Sequence, residues 1–191
     1  MTDRVYRDPV HGSVAFDLHR DRAIIELIDS REFQRLRRIR QLGAAALVFP
    51  GAEHSRFTHS VGVTFLAKRL FDHLMRQELY PSEATPLRPV VLAGALLHDI
   101  GHGPYSHLFE RVFAKRHEAW GSDILNDPGT DVHQILKNHG LLERVRDLYA
   151  KKLQPPFTFE LISSQLDADR LDYLLRDSFM TGATYGRYDL D

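Results

Sequence analysis

Residues 96–107 read Leu96-Leu97-His98-Asp99-Ile100-Gly101-His102-Gly103-Pro104-Tyr105-Ser106-His107, and they end an apolar run that begins at Val90. The run is typical of a buried helix, and the glycines and the proline stop it directly after a His-Asp pair. A buried histidine or carboxylate is costly unless it is paired or bound to a metal. One such histidine is usually satisfied by backbone groups, whereas three histidines and a carboxylate together indicate a site.

Two adjacent residues such as the His-Asp pair can bind the same ion only at the end of a helix. Neighbouring residues on a helix point about 100° apart, so two adjacent ligands meet one ion only where the helix unwinds. The pair His98-Asp99 lies at such a point.

Composition narrows the class of protein. The chain has 191 residues, 43% of them hydrophobic, so we expect one globular domain over residues 1–191. The net charge of −1 indicates neither nucleic-acid nor membrane binding. The absence of cysteine excludes disulfides, thiolate metal sites and a cysteine nucleophile. The first residues do not form a signal peptide, and we expect a soluble, cytoplasmic protein.

The pattern along the chain predicts an all-α bundle with a minor N-terminal strand pair in residues 4–20, where Val14, Phe16 and Leu18 alternate. Ser30 is a plausible helix cap, and Pro81 and Pro86 are expected breaks. The predicted helices cover residues 22–41, 55–79, 87–99, 105–114, a segment from 117 to about 126, 131–138, 141–152 and 158–178.

Two of these helices place polar residues on specific faces. His59 falls on the apolar stripe of helix 55–79 and should point inward. In helix 158–178, Asp169, Tyr173 and Asp177 share a face with Phe159, Ile162 and Leu166, within about 80°. We expect the helix to pack on the leucines of another side, Leu171, Leu174 and Leu175. Solvated helix charges are the competing interpretation for the acids.

Four side chains are candidate metal ligands: His59, His98, Asp99 and Asp169. Two neutral imidazoles and two carboxylates neutralise one divalent ion. Such a nitrogen and oxygen set suits Mn²⁺, Fe²⁺, Zn²⁺, Co²⁺ or Ni²⁺, and Mg²⁺ also stays open.

The wider motifs resemble those of a known family. Arg56-Phe57-Thr58-His59-Ser60-Val61-Gly62, the stretch His98–His107 and the stretch Asp167–Asp177 occur in the order found in HD-superfamily deoxynucleoside triphosphate triphosphohydrolases. Asp8-Pro9-Val10-His11-Gly12 and Gln41-Leu42-Gly43 match as well. The resemblance is closest to the branch of the human sterile-alpha-motif and HD-domain enzyme and its bacterial relatives, and it covers about residues 8–188.

The resemblance implies a fold, an activity and roles. It implies an HD-domain bundle in which the four candidate ligands hold one divalent metal, and which hydrolyses deoxynucleoside triphosphates to deoxynucleoside and triphosphate. His107 with Glu110 matches the catalytic histidine and acid, and His102 and His117 match histidines near the phosphates. The matches for substrate contacts are Arg56 and Arg170 for phosphates and Gln41, Leu42, Tyr173 and Asp177 for base and sugar.

Other functions stay open at this point. Another HD phosphohydrolase, either a nucleotide phosphatase or a phosphodiesterase, needs the same ligands, and a metal-bound nucleotide sensor needs no turnover. Related enzymes continue with a second helical part that supplies further contacts and much of the interface between subunits, whereas this sequence ends at Asp191. We expect a piece of a longer protein or a minimal HD protein, and by resemblance a homo-oligomer.

Overall fold

The computed structural model describes residues 3–80, 82–186 and 188. It confirms the predicted helical bundle with one small strand pair. The strands are β1 (Asp3–Asp8) and β2 (Gly12–Asp17). The α-helices are α1 (Arg22–Asp29), α2 (Arg31–Gln34), α3 (Arg56–Arg76), α4 (Arg88–Leu97), α5 (His107–Phe113), α6 (His117–Asn126), α7 (Asp131–Asn138), α8 (Leu142–Tyr149), α9 (Phe157–Glu160) and α10 (Ala168–Thr181). Short 3₁₀ helices cover Arg35–Arg38, Gly43–Leu47 and Ser82–Leu87.

The antiparallel hairpin closes one side of the bundle. One oxygen of Asp8 accepts hydrogen bonds from the backbone N–H groups of Val10 and His11, each at 2.9 Å, which shapes the turn between the strands. Val14 and Phe16 are fully buried, as their alternation predicts. Leu18, the third member of that series, lies beyond the end of β2 and is exposed.

Helix α3 is the central element of the bundle, and it packs against both α4 and α10. Helix α4 is buried on almost every side. The side chains from Val90 to Leu97 are at most 1% exposed, and Gly94 within this run is buried as well. An all-round apolar helix of this kind belongs in the centre of a domain. The end of α4, which carries the His-Asp pair, is therefore held inside the protein.

The long helix predicted over residues 158–178 is wrong, because it is two helices, α9 and α10. The carboxylate of Asp167 accepts hydrogen bonds from the backbone N–H groups of Ser164 at 2.6 Å and Arg170 at 2.7 Å. It caps a new helix that begins at Ala168. Phe159, Ile162 and Leu166 therefore precede α10 and do not share its face.

The prediction that α10 packs on its leucines is confirmed only for Leu171, which packs against the core. Asp172 and Arg176 face the interior at 0% and 1% exposure, whereas Leu171, Leu174 and Leu175 are half-buried. The pair lies against α3 at Gly62, where a Cβ atom would come within 2.0 Å of Asp172 Oδ1. A charged pair thus occupies the contact that the hydrophobic pattern assigned to leucines.

The remaining boundaries agree with the pattern to within a few residues. Ser30 caps α2 by accepting from the backbone N–H of Phe33, as predicted, and the helix expected over residues 22–41 divides there and ends in a 3₁₀ turn. Pro86 lies in the 3₁₀ helix before α4, while the break expected at Pro81 lies outside the described residues. Among the described residues, no helix has the length and apolar character that crossing a bilayer requires.

We predict that Gly101→Ala destabilises the fold and that Gly121→Ala does not. A Cβ atom at Gly101 would lie 1.9 Å from the carbonyl oxygen of His117 and 2.4 Å from the nitrogen of Gly121, so α6 would have to move. We expect a loss of about 1–3 kcal/mol in the free energy of unfolding, measured by denaturant titration. A Cβ atom at Gly121 meets only ordinary contacts at 3.6 Å or more. Equal stability of the two variants would contradict the packing of α6 on the turn after α4.

Candidate functional site

Three helices bring the four predicted metal ligands together. His59 projects from α3, His98 and Asp99 end α4, and Asp169 lies in the first turn of α10. Asp169 Oδ1 is 3.0 Å from His59 Nε2 and 3.6 Å from His98 Nε2. Asp99 presents Oδ1 at 3.5 Å from His98 Nε2 and Oδ2 at 3.7 Å from His59 Nε2. The arrangement forms one small centre of two imidazole nitrogens and two carboxylates.

Both histidines are oriented by their other ring nitrogen. His98 Nδ1 lies 2.8 Å from the carbonyl oxygen of Ala95 and donates to it, and His59 Nδ1 donates to Asp172 at 2.8 Å. Each ring thereby turns Nε2 toward the centre, as is usual for metal-ligating histidines. His98 Nε2 is buried and has no hydrogen-bond partner among the described residues. A divalent metal fits this donor set, because it gives that nitrogen a partner and offsets the two carboxylates.

The electrostatics of the centre favour a bound cation. Burial lowers the pKa of His59, but the carboxylates of Asp169 and Asp172 outweigh it and raise that pKa to about 10. Burial alone would raise the pKa of Asp169, yet the two histidines hold it well below its usual range. Carboxylates that stay ionised inside the protein favour positive charge beside them, so this centre favours a cation.

A second layer of buried polar groups supports His59, and the sequence interpretation missed it. Asp172 accepts hydrogen bonds from His59, from His11 Nε2 at 2.6 Å and from Arg176 at 2.7 and 2.8 Å. Arg176 also bonds to Asp8 at 2.8 Å, next to the hairpin turn. Hydrophobic periodicity cannot find such a group, since it assigns acids to the surface.

Two arginines hold the turn that follows α4. Arg35, in the 3₁₀ helix Arg35–Arg38, donates to the carbonyl oxygens of Ile100 and His102. Arg56 is 5% exposed and pairs with Asp99, while its Nε and Nη2 donate to Ser106 Oγ at 3.1 and 2.8 Å. The structure therefore places Arg56, a predicted phosphate contact, against a metal-ligand candidate.

The predicted catalytic histidines form a cluster beside the centre. The His102 ring stacks on the His117 ring with 3.9 Å between centroids, and His102 Nε2 lies 3.3 Å from Asp99 Oδ1. Burial lowers the pKa of His102 to about 4, so its ring is neutral at pH 7. Glu110 bonds to His117 and, at 3.3 Å, to Nδ1 of His107, which is exposed.

Glu110 stays ionised in this cluster. Burial would raise its pKa, but hydrogen bonds from His117 and His107 outweigh burial and lower the pKa to about 2. The carboxylate is therefore a fixed negative partner for two imidazole rings. Such a partner fixes the orientation of the rings that bond to it.

Two of the predicted base and sugar contacts, Asp177 and Gln41, are connected through His54. Asp177 Oδ1 is 2.8 Å from Nε2 of His54, a buried histidine that the sequence interpretation did not single out. The carbonyl oxygen of His54 accepts from the backbone N–H of Gln41 at 3.0 Å, so His54 connects these two residues. Tyr173 and Leu42 are half-buried. Arg170 is exposed and follows Asp169 directly.

A cavity of about 860 Å³ opens beside the metal-ligand candidates. His98, Asp99, Asp169 and His117 line one part of it, and the rest is lined by residues of α6, the end of α8 and the α9 region. Its lining does not include the predicted base and sugar contacts. The centre is thus approached from a volume large enough for a small ligand.

Residues 56–177 match the HD domain family, and the chain belongs to it. It is thereby a member of a superfamily of metal-dependent hydrolases, whose domains bind a divalent metal. The described residues contain the histidine and aspartate groups that can hold one, since the ligand atoms of His59, His98 and Asp169 all lie within 4.8 Å of one another.

Individual relatives agree with this assignment. YwfO of Bacillus subtilis (strain 168) is 47% identical over 193 residues, which cover 99% of this chain and 43% of that protein. Deoxynucleoside triphosphate triphosphohydrolase SAMHD1 of Mus musculus is 34% identical over 215 residues, covering 94% and 32%. The crystal structure of a phosphohydrolase from Bacteroides thetaiotaomicron matches with a TM-score of 0.82 at 33% identity, covering 96% and 44%. The chain spans less than half the length of each of these relatives.

We predict that Asp169→Ala loses the bound metal and that Asp167→Ala keeps it. Asp169 faces the two histidines, whereas Asp167 caps α10. Elemental analysis of the purified variants measures metal content. The cap variant should lose only stability, about 0.5–2 kcal/mol. Metal retained by Asp169→Ala, or lost by a folded Asp167→Ala, would contradict the assignment.

Proposed function

We propose that this domain is a metal-dependent hydrolase that converts deoxynucleoside triphosphates to deoxynucleoside and inorganic triphosphate. The observation that carries the proposal is the convergence of two oriented histidines and two carboxylates beside a cavity, where the buried His98 Nε2 has no hydrogen-bond partner among the described residues. The similarity to SAMHD1 over most of the chain supports the choice of substrate. The deoxynucleoside triphosphate as partner and assembly into a homo-oligomer are parts of the same proposal.

His59, His98, Asp99 and Asp169 would hold the divalent ion. When bound, the ion supplies positive charge at the reacting phosphate and lowers the pKa of a water molecule. Arg56 holds Asp99 in place through their ion pair, and Arg35 holds the turn that carries His102. The chain's own part is therefore to fix the ligand atoms before substrate arrives.

His107, Glu110 and His117 form the proton-transfer group of this proposal. Water attacks the α-phosphorus, the bond from that phosphorus to the 5′ oxygen breaks, and the 5′ oxygen takes a proton from His107. Glu110, which bonds to His107 Nδ1 at 3.3 Å, orients the ring. His107 is the exposed member of the cluster, so its ring is open to a ligand, whereas His102 is buried against Asp99.

The sugar side of the substrate would meet Tyr173 and Asp177, one and two turns along α10 from Asp169. Asp177 is held by His54, and the backbone of His54 also bonds to Gln41. Gln41 and Leu42 would pack against the sugar at Tyr173 and Asp177. This close packing would leave little room for a 2′ hydroxyl group and so would favour deoxyribose over ribose. Arg170, exposed next to Asp169, supplies positive charge for the phosphates.

Product identification tests the function. Metal-loaded protein is incubated with a deoxynucleoside triphosphate, the matching ribonucleoside triphosphate, a deoxynucleoside monophosphate and a cyclic dinucleotide. We expect deoxynucleoside and intact triphosphate in one step, with the deoxyribose substrate preferred.

The other products identify the competing functions. Stepwise release of orthophosphate would establish a phosphatase, and a linear dinucleotide would establish a phosphodiesterase. Nucleotide binding without product would favour a sensor. Asp169→Ala is the control for metal dependence in every reaction.

We predict that His107→Ala retains the fold and the metal and loses activity by about 10²–10⁴-fold, the usual contribution of a general acid or base. His107 is exposed and is not among the four ligand candidates, so its removal leaves the centre intact. The measurements are metal content, the midpoint of thermal unfolding and single-turnover rate. Undiminished turnover, or loss of metal, would rule out the proton-transfer role.

A further inference from the structure

The cavity beside the metal-ligand candidates extends well past them. Beyond His98, Asp99 and Asp169 it is lined by Arg146 and Lys151, at the end of α8 and just after it. Arg56 and Arg170 do not line this cavity. They are the two arginines that the sequence analysis predicts to contact phosphates. The cavity therefore has its own pair of cationic side chains, which take no part in the proposed metal binding, proton transfer or sugar contacts.

Arg146 is only partly satisfied by the protein. Its Nη1 bonds to Glu143 at 2.5 Å, whereas its Nε is buried and has no hydrogen-bond partner among the described residues. A buried guanidinium N–H without an acceptor is costly. The guanidinium lines the cavity, and its one hydrogen bond among the described residues is the bond to Glu143. Its other N–H groups suit an anionic oxygen in the cavity, because hydrogen bonds between two charged groups are the stronger ones.

Lys151 adds a second cation in an uncommon backbone conformation. Its φ of +58° lies in the left-handed region, which carries a cost for a residue with a side chain. The acids of the lining are already matched, since Asp99 and Asp169 lie at the metal centre and Glu118 pairs with Arg116. Arg146 also pairs with Glu143, which lies outside the lining, so the acids of the lining leave both cations to face the cavity.

The aromatic side chains of the lining argue against a nucleobase as occupant. The Tyr149 hydroxyl donates to the carbonyl oxygen of Gly94 at 2.7 Å. Lys151 Nζ lies over the Phe159 ring, 4.7 Å from its centroid, in a cation–π contact. Ser122, Asn126 and Ser163 add hydrogen-bonding groups to the same lining. Such a mixture of cations and hydroxyl groups suits a phosphate chain better than a stacked ring.

We propose that this cavity is a polyphosphate subsite, in which Arg146 and Lys151 contact the terminal phosphates of the substrate and then the inorganic triphosphate that leaves. The proposal rests on the proposed function for the order of these events. The affinity of the subsite for triphosphate is independent of turnover and can be measured without it.

The test is calorimetric titration of inorganic triphosphate into the metal-loaded protein, in parent and variants. The subsite variant is Arg146→Gln with Lys151→Gln. The matched control is Arg144→Gln with Lys152→Gln, which removes the same charge from the same segment at exposed residues outside the cavity lining. Metal content and thermal midpoint verify that each protein is folded.

We expect the subsite variant to bind triphosphate at least tenfold more weakly, on the order expected for lost charge-assisted contacts, and the control to stay within about twofold of the parent. Equal weakening in both proteins would mean general attraction by charge and would overturn the proposal, as would unchanged affinity or no binding to the parent. If the double variant does not fold, Lys151→Gln against Lys152→Gln gives the same comparison.

The same proteins separate this proposal from the proposed function. Triphosphate binding that depends on the cavity cations, together with orthophosphate as the product from a deoxynucleoside triphosphate, would retain the subsite and reject the triphosphohydrolase. Release of deoxynucleoside and triphosphate, together with unchanged triphosphate affinity in the subsite variant, would retain the triphosphohydrolase and reject the subsite.

Discussion

The buried carboxylate of Asp172 is the interaction on which the rest of the site depends. It is 0% exposed and accepts four hydrogen bonds, two from Arg176 and one each from His59 and His11. Through them it joins the turn after β1, helix α3 and helix α10. Loss of one partner in such a network leaves a buried charge uncompensated, which costs about 3–5 kcal/mol. Folding and the orientation of a candidate metal ligand therefore depend on the same contact.

Hydrogen bonds to Asp172 and to the end of α4 determine which nitrogen each histidine presents. His59 donates from Nδ1 to Asp172 and His98 donates from Nδ1 to its own helix, so both keep Nε2 for the centre. A centre prepared in this way needs little rearrangement when an ion binds, and preorganised ligands are the general basis of tight metal sites. Arg35 and Arg56, which contact the turn after α4 and Asp99, extend this rigidity to the histidine cluster.

The hydrophobic pattern failed where polar groups replace apolar ones inside the protein. It assigned the packing side of α10 to three leucines, but only Leu171 of the three packs against the core. The fully buried charged side chains of α10 are Asp172 and Arg176, which satisfy one another in a low-dielectric interior. The pattern also extended the last helix through Asp167, whose carboxylate instead caps a new helix. Both errors have one cause, because periodicity measures apolar spacing and contains no information on which polar groups will find partners.

The sequence by itself determined the class of fold, the buried helix α4 and its stop and the inward position of His59, because each follows from local spacing and from chemistry within a short stretch. Asp169 was a candidate with a competing interpretation, since the helix face that indicated it extended through residues that precede α10. Only the tertiary structure decided that Arg56 lies against Asp99, that His54 holds Asp177 and that Arg146 lines the cavity with the metal-ligand candidates. These contacts join residues that are distant along the chain, for example 123 positions apart for His54 and Asp177. Their partners are selected by how the helices pack, which a one-dimensional pattern does not contain.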